Sequence, residues 1–181
     1  MPNWAHVMET VVRDRRQALV GYAYLVTGSL SEAEDVAQEA IVKTFARGRS
    51  RTTVEQAEAY IKRTIVNEAI NRARHRKVVE SKNAALASPL SAPGHDSWVG
   101  SRADIAEALG ALSAQERACV VLRYFDDLTV SQVAVALKLG DGTVKRYLFN
   151  AAQKLRLALG SEVVDGVRPE PVRVAVMSGG R

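Results

Sequence analysis

Residues 31–46 read SEAEDVAQEAIVKTFA, and the spacing of apolar residues in this stretch decides the fold class. At about 100° per residue it forms an amphipathic helix whose inward stripe is Ala33, Val36, Ala37, Ala40, Ile41, Thr44 and Phe45. The far side presents Asp35, Gln38, Glu39, Val42 and Ala46. The plain interpretation is an acidic face turned to solvent. Because Val42 and Ala46 are apolar between carboxylates, a basic protein partner is the second interpretation, and this face suits such a partner better than DNA.

Helical patterning continues on both sides of this stretch and is interrupted by a change of composition. No proline lies between Pro2 and Pro89, whereas residues 81–101 collect serine, proline and glycine, which is typical of a linker. Helical spacing resumes at about Arg102. We expect an all-α protein with two small helical domains joined by a flexible linker, the C-terminal domain being a helix-turn-helix. The expected segments are domain 1–79, linker 80–102, domain 103–160 and tail 161–181.

Three helix starts are marked by capping boxes, in which two side chains satisfy free backbone amides reciprocally. Each box precedes a stretch of apolar periodicity, so each predicts the first turn of a helix. The three pairs are Ser31 with Glu34, Ser113 with Glu116, and Thr129 with Gln132.

The helix predicted over residues 58–77 is strongly basic, since six Lys and Arg residues oppose Glu68 within 61–77. Its inward stripe is Ile61, Ile65, Val66, Ala69, Ile70 and Ala73. Its outer face presents Tyr60, Arg63, Asn67, Asn71 and Arg74. Asparagine is an indifferent helix former, but its amide suits base edges, and Tyr60 suits stacking on an unpaired base. Nucleic-acid binding is therefore favoured over a merely solvated basic helix.

Residues 128–150 predict a helix, a turn and a second helix. The turn covers 138–142, with Asp141 as the expected cap. The inward positions are Val133, Ala134 and Leu137 on the first helix and Val144, Leu148, Ala151, Leu155 and Leu159 on the second. The second helix turns Arg146, Phe149, Asn150 and Gln153 outward, with Lys145 on the flank. In a major groove, Arg146 would bond guanine, Asn150 adenine and Phe149 a thymine methyl. An ordinary helical hairpin is the alternative.

Composition excludes several classes of protein. The 181 residues carry a net charge of +5, which mildly favours a polyanionic partner. One cysteine and three scattered histidines support neither a disulfide nor a metal site, and Cys119 is expected to be a packing residue. No signal pattern and no apolar run of about 20 residues occurs, so we expect a cytoplasmic protein without membrane contact. We also expect no cofactor.

Several motifs, in order, carry a resemblance to extracytoplasmic-function (ECF) sigma factors, which covers about residues 15–79 and 103–157. Residues 28–40, GSLSEAEDVAQEA, resemble the polymerase-binding signature of that family. Residues 60–67, YIKRTIVN, and 72–76, RARHR, resemble its promoter-melting helix. Three further segments resemble its fourth conserved region, namely LSAQER at 112–117, LRYF at 122–125 and GTVK at 142–145.

The resemblance implies a protein that binds core RNA polymerase and directs promoter-specific initiation without chemistry of its own. It implies polymerase contacts by Asp35, Gln38, Glu39 and Val42. Opening of the minus-ten element and capture of its single strand would fall to Tyr60, Arg63, Asn67, Asn71 and Arg74, with the basic loop 47–51 nearby. Reading of the minus-thirty-five duplex would fall to Thr143, Lys145, Arg146, Phe149, Asn150 and Gln153. The linker would thread through the polymerase, and a sequestering anti-sigma protein is a further partner that the resemblance allows.

The chain departs from the family pattern at several positions. Lys138 replaces the usual turn glycine, and since a left-handed lysine costs on the order of 1 kcal/mol, we expect a differently shaped turn that uses Gly140. Arg146, Tyr147 and Asn150 replace a serine and two arginines, so a different minus-thirty-five sequence is expected. In the melting helix, an asparagine at position 71 replaces a frequent aspartate, and a tyrosine at position 60 replaces a frequent tryptophan.

Two other classes of function explain less of the sequence. A free-standing helix-turn-helix regulator would explain residues 103–160 but would leave the acidic and asparagine-bearing faces unused. An enzyme would need a convergent polar constellation, and the sequence holds no Ser–His–Asp set, phosphate loop or HExxH pattern. The tail residues Val172–Met177 alternate like a strand, which predicts either a docked segment or a frayed end.

Overall fold

A computed structural model describes residues 4–46, 53–83 and 108–159. These residues form helices and no strand, which confirms the predicted all-α class. The helices, in chain order, are α1 (Trp4–Thr10), a π-helical turn (Val11–Arg15), α2 (Arg16–Thr27), α3 (Leu30–Phe45), α4 (Val54–Asn83), α5 (Ala114–Tyr124), α6 (Val130–Leu137) and α7 (Asp141–Leu159). The basic loop 47–51, most of the predicted linker and the tail beyond Leu159 lie outside the described residues.

The N-terminal half is a bundle in which α2, α3 and α4 pack against one another. Every residue predicted to face inward on α3 is buried, as are those on α4 except Ala73, which is half-buried. Buried apolar area of this kind is the main favourable contribution to folding. Helix α4 continues to Asn83, four residues into the stretch that was predicted as linker.

The tight connection between α2 and α3 corrects one predicted capping box. Gly28 ends α2 in the left-handed conformation, with φ of 75°, and Ser29 begins the next helix. The Ser29 hydroxyl accepts a hydrogen bond from the Glu32 amide at 3.4 Å, so the cap is Ser29 and the box predicted at Ser31 is wrong. The reason is that Gly28 reverses the chain at once and leaves a single residue before the first helical turn.

The C-terminal half is the predicted helix-turn-helix. Both capping boxes there are confirmed, with Ser113 and Glu116 bonding each other's backbone amides ahead of α5 and Thr129 and Gln132 doing so ahead of α6. Lys138 lies in the left-handed conformation at φ 55° and ψ 46°, and the Leu139 amide donates to the Ala134 carbonyl at 2.9 Å.

These hydrogen bonds make the turn after α6 a Schellman ending with lysine in the glycine position. The expectation of a different turn built on Gly140 is therefore wrong, because the hydrogen bonds of the ending outweigh the left-handed strain at Lys138. Asp141 is also not the cap of α7. It is the first helical residue, while the Gly140 carbonyl accepts the first bonds of the helix from the Thr143 and Val144 amides.

Left-handed strain at Lys138 predicts that Lys138→Gly stabilises the protein by about 0.5–1 kcal/mol, because glycine adopts positive φ without a Cβ penalty. Lys138→Asn should give a smaller gain in the same direction. Thermal unfolding followed by circular dichroism measures both. A fall in melting temperature for the glycine variant would show that the lysine side chain contributes more than its backbone strain costs.

The two halves pack together through α5, which contacts both α2 and α4. One continuous apolar cluster joins Leu19 and Ala23 of α2 and Ile65 of α4 to Cys119 and Leu122 of α5. The two predicted domains are thus docked on one another in this structure.

Candidate polymerase and promoter interfaces

The far side of α3 is exposed as the sequence predicted, with one exception. Asp35 and Gln38 are exposed, and Val42 keeps 58% of its surface in solvent despite being apolar. Glu39 is instead half-buried, because its carboxylate pairs with Lys43 at 2.7 Å and with Arg72 of α4 at 2.8 Å. These hydrogen bonds, that from Lys43 first, lower the pKa of Glu39 below its usual range. Glu39 therefore ties α3 to α4, while the other three residues remain available to a partner.

The outer face of α4 presents the predicted residues together. Tyr60, Arg63, Asn67, Asn71 and Arg74 are all exposed, and the Tyr60 side chain has 40% of its surface in solvent. Asn67 and Asn71 lie one turn apart on this face. This face thus carries two amides, one aromatic ring and two guanidinium groups, and such groups can bond base edges, stack on a base and pair with phosphates.

Ion pairs occupy half of the cations that made α4 strongly basic in the sequence. Lys62 pairs with Glu58 and Asp126, Arg72 with Glu39, and Arg76 with Glu32 at 2.7 Å. Arg63, Arg74 and Lys77 form no ion pair with the described residues. These three cations are therefore available to a polyanion, and two of them, Arg63 and Arg74, lie within the predicted DNA face.

A groove between α3 and α4 brings the two predicted faces to a common edge. Asp35 from the acidic face and Asn71 from the basic face both line it, together with Ser29, Ser31, Glu32, Arg72, His75 and Arg76. The pair between Glu32 and Arg76 and the pair between Glu39 and Arg72 fasten α3 to α4 here. A protein contact through Asp35 and a DNA contact through Asn71 would therefore be adjacent on one rigid surface.

The outer face of α7 is also arranged as predicted. Lys145, Arg146, Asn150 and Gln153 are exposed, and Phe149 has 50% of its surface in solvent. Thr143 is half-buried in the first turn. Val144 and Ala151 are buried on the opposite side, with Leu148 and Leu155 packed against the core. The Ser131 hydroxyl donates to the Asp141 carboxylate at 2.7 Å, which fixes α6 to the start of α7.

Sequence reasoning missed Arg117, which is buried in the C-terminal half. Its guanidinium donates to the carbonyls of Leu109, Leu112 and Gly110 at 2.9, 3.2 and 3.4 Å, and to that of Val26 in α2 at 3.4 Å. Burial lowers the pKa of this group. Its spacing from Val120 and Val121, three and four residues on, is the helical signal that would have placed it inward.

Sequence reasoning also missed a cluster formed by Tyr22, Lys62 and Asp126. The Tyr22 hydroxyl donates to one Asp126 oxygen at 2.7 Å, and the Lys62 ammonium lies 3.4 Å from the other. Burial and then the bond to Asp126 raise the pKa of Tyr22. No sequence signal points to this cluster, since Tyr22 and Asp126 lie 104 positions apart.

Within the described ranges, no group of three or more His, Cys, Asp or Glu side chains is placed to hold a metal ion. No helix in that part of the chain has the length and apolar character needed to cross a membrane. Cys119 is fully buried, and burial raises the pKa of its thiol to about 12, so it packs and stays unreactive.

Comparison with known proteins identifies the family. Residues 11–78 match sigma-70 region 2, and residues 102–155 match sigma-70 region 4. An RNA polymerase sigma-E factor of Streptomyces avermitilis is 31% identical over 157 residues, covering 87% of each chain. The ECF RNA polymerase sigma factor SigL of Mycobacterium tuberculosis is 31% identical over 159 residues, covering 86% of this chain and 90% of the relative.

A solved structure shares the fold. It is the co-crystal structure of the sigma factor RpoE with the anti-sigma factor NepR from Bartonella quintana, with a TM-score of 0.58 and 20% identity over 85% of this chain and 96% of that one. The match to region 2 accounts for the N-terminal half, which a free-standing helix-turn-helix regulator would leave unexplained. The resemblance seen in the sequence is thereby confirmed: the chain belongs to the sigma-70 family and is an ECF-type RNA polymerase sigma factor, which directs promoter-specific transcription.

Proposed function

We propose that three separate faces of this sigma factor divide the work of initiation. The acidic face of α3 docks on core polymerase, the outer face of α4 captures single-stranded bases of the minus-ten element, and the outer face of α7 reads the minus-thirty-five duplex. The observation that carries this proposal is exposure: of the residues assigned to these tasks, all but Glu39 and Thr143 are exposed, while the opposite sides of the same helices are buried or half-buried.

The polymerase-docking face consists of Asp35, Gln38 and Val42. An exposed valine beside a carboxylate and an amide is an apolar contact with a polar rim, as at the centre of a protein interface. Glu39, which the resemblance placed on this face, acts through its pairs with Lys43 and Arg72 as a positioning residue. It holds α3 against α4 so that Asp35 keeps a fixed place.

The single-strand face of α4 stabilises the opened minus-ten element through the free energy of binding its unpaired bases. Bases that leave the duplex lose stacking, and stacking on Tyr60 together with hydrogen bonds to Asn67 and Asn71 offsets that loss. Arg63 and Arg74 hold the phosphates. The basic loop 47–51, which lies outside the described residues, is proposed to add to this contact. The sigma factor therefore requires neither cofactor nor metal, and it carries out no covalent step.

The assignment of segments follows from these faces. We assign residues 1–83, up to the end of α4, to polymerase binding and minus-ten opening, 84–102 to a linker that threads through the polymerase, and 103–160 to minus-thirty-five reading. The protein works in the cytoplasm, where the polymerase is. A sequestering anti-sigma protein is the proposed means of control, because the solved structure that shares this fold is that of a sigma factor bound to an anti-sigma factor.

The proposed function is tested by selecting promoters with the reconstituted holoenzyme. Core polymerase with the full-length sigma factor is incubated with a duplex library, and transcribed sequences are recovered. We expect two enriched elements at a fixed spacing. Enrichment of a single element by the sigma factor alone, unaffected by core polymerase, would instead describe a free-standing DNA-binding regulator.

Asn67→Ala is expected to reduce promoter opening about fivefold while duplex binding changes little, because Asn67 is assigned to bases only after they unstack. A fivefold loss corresponds to about 1 kcal/mol, the usual net contribution of one hydrogen bond. Permanganate reactivity of unpaired thymines measures opening, and a mobility shift measures the closed complex. Equal permanganate reactivity in variant and wild type would remove Asn67 from the single-strand face.

A further inference from the structure

The described structure holds the two DNA-reading halves of the molecule together through a polar contact between distant parts of the chain. Asp126, just after α5, accepts a hydrogen bond from Tyr22 of α2 at 2.7 Å and pairs with Lys62 of α4 at 3.4 Å. The Lys62 ammonium also lies 5.2 Å from the centre of the Tyr22 ring, within the range of a cation–π contact. We call these three residues the Asp126 latch.

The Asp126 latch is largely removed from water. The Asp126 side chain is 17% exposed and that of Lys62 is 30% exposed, whereas Asp127, the next residue, has a fully exposed side chain. Both Asp126 oxygens are used, and both partners belong to the N-terminal half. A carboxylate so placed stabilises the docking of the two halves, because separating them would leave Tyr22 and Lys62 without this partner.

A second contact supports the same docking at the other end of α2. The Arg117 guanidinium donates to the Val26 carbonyl at 3.4 Å, where the free carbonyls of a helix C-terminus favour a cation. Gly28 makes room for it, because a Cβ at that position would lie 2.5 Å from Arg117 Nη1. The glycine that turns the chain between α2 and α3 thus also receives the arginine of the C-terminal half.

The docked arrangement conflicts with reading both promoter elements at once. The described helices pack into one body, and a folded body of that many residues is about 35 Å across. The centres of a minus-ten and a minus-thirty-five element are about 25 base pairs apart, which is roughly 85 Å of duplex at about 3.4 Å per base pair. The α4 and α7 faces reach both elements only if the two halves separate.

We propose that the Asp126 latch holds the free sigma factor in a docked resting state, and that opening of the latch accompanies binding to core polymerase and promoter. This inference rests on the proposed function for the faces of α4 and α7. It predicts the direction in which the affinity for core polymerase changes. Weakening the Asp126 latch raises the fraction of sigma factor molecules whose halves are separated, so the apparent affinity for core polymerase rises by the same factor. A residue that merely stabilised the fold would lower that affinity when replaced.

The test is Asp126→Asn, with Asp127→Asn as the matched control. The control removes the same charge one position along the chain, where the carboxylate reaches only Arg123, at 3.8 Å, and where φ of 50° suits asparagine. Nitroxide labels at Glu34→Cys on α3 and Val135→Cys on α6 report the distance between the halves. Cys119 is kept, because its fully buried thiol does not take up the label and its side chain belongs to the cluster that joins the halves. Both labelling positions are exposed.

In the absence of polymerase, we expect a single short distance for the parent and the control. Asp126→Asn should add a population at longer distances, and core polymerase should bind this variant at least threefold more tightly. Lys62→Gln breaks the same contact from the other half and should act alike, so local unfolding of one half would not reproduce the result. Circular dichroism checks that each variant is folded.

An unchanged distance distribution in both folded variants would overturn the latch. A longer distance combined with weaker polymerase binding would overturn its inhibitory role. Failure of the α3, α4 or α7 assignments is distinguishable, because the distance measurement uses neither polymerase nor DNA.

Discussion

Asp35→Arg is expected to lower the affinity for core RNA polymerase by about a hundredfold or more, while leaving the thermal unfolding temperature unchanged. Asp35 is exposed on the side of α3 opposite its buried stripe, so an arginine there meets solvent and creates no cavity. The partner predicted for this face is basic, and a like charge placed against it costs several kcal/mol. Fluorescence anisotropy of labelled sigma factor titrated with core polymerase measures the loss.

Glu34→Arg is the control for this experiment. Glu34 is also exposed and precedes Asp35, so the charge change is identical but lies about 100° around the helix. We expect its affinity to fall severalfold at most. Equal affinity of the Asp35 variant and wild type would remove the acidic face of α3 from the docking surface, and equal losses in both variants would indicate a general electrostatic attraction instead of a specific contact.

The parts of the fold that the sequence predicted correctly are those set by local periodicity. Inward residues such as Val36 on α3 and Ile65 on α4 follow from a period of 3.6 residues, because a helix fixes the direction of each side chain relative to its neighbours. The outer faces follow from the same arithmetic. Two capping boxes were confirmed for a similar reason, since their partners lie three residues apart.

The predictions that were wrong concern competition between local rules. The capping box was predicted at Ser31, but the left-handed turn at Gly28 leaves room for one residue before α3, so Ser29 is the cap. At Lys138 the intrinsic strain of a left-handed lysine argued for a different turn. The bonds from Lys138 and Leu139 to the end of α6 were the larger effect.

The ion pairs and the docking of the two halves depend on contacts that a single sequence does not reveal. Arg72 and Arg76 appeared as charges available to DNA, but each meets a glutamate of α3 more than 30 positions away. Tyr22 and Asp126 are farther apart still. Net charge on a helix is therefore a poor measure of its available charge, whereas the position of Asn67 and Asn71 on its outer face was predictable.

Asn150→Ala is expected to relax specificity at one base pair of the minus-thirty-five element, lowering discrimination there by about 1–3 kcal/mol, or roughly five- to 150-fold. Asn150 is exposed on the outer face of α7 beside Phe149, on the side opposite buried Ala151. An asparagine amide bonds the edge of adenine through a donor and an acceptor, and alanine offers neither. The measurement is holoenzyme binding to promoters that differ at single positions of this element.

Asn67→Ala provides the matched control, since it is the same substitution on an exposed helical face assigned to the other promoter element. It should leave every minus-thirty-five preference intact, while Asn150→Ala should leave permanganate reactivity at minus ten intact once the complex has formed. If Asn150→Ala weakened binding to all variants equally, Asn150 would contact the phosphate backbone, and base reading would rest on its neighbours Arg146 and Phe149. If the preference moved at several positions together, the change would instead reflect a shift of α7 in the groove, because one lost amide accounts for one base pair only.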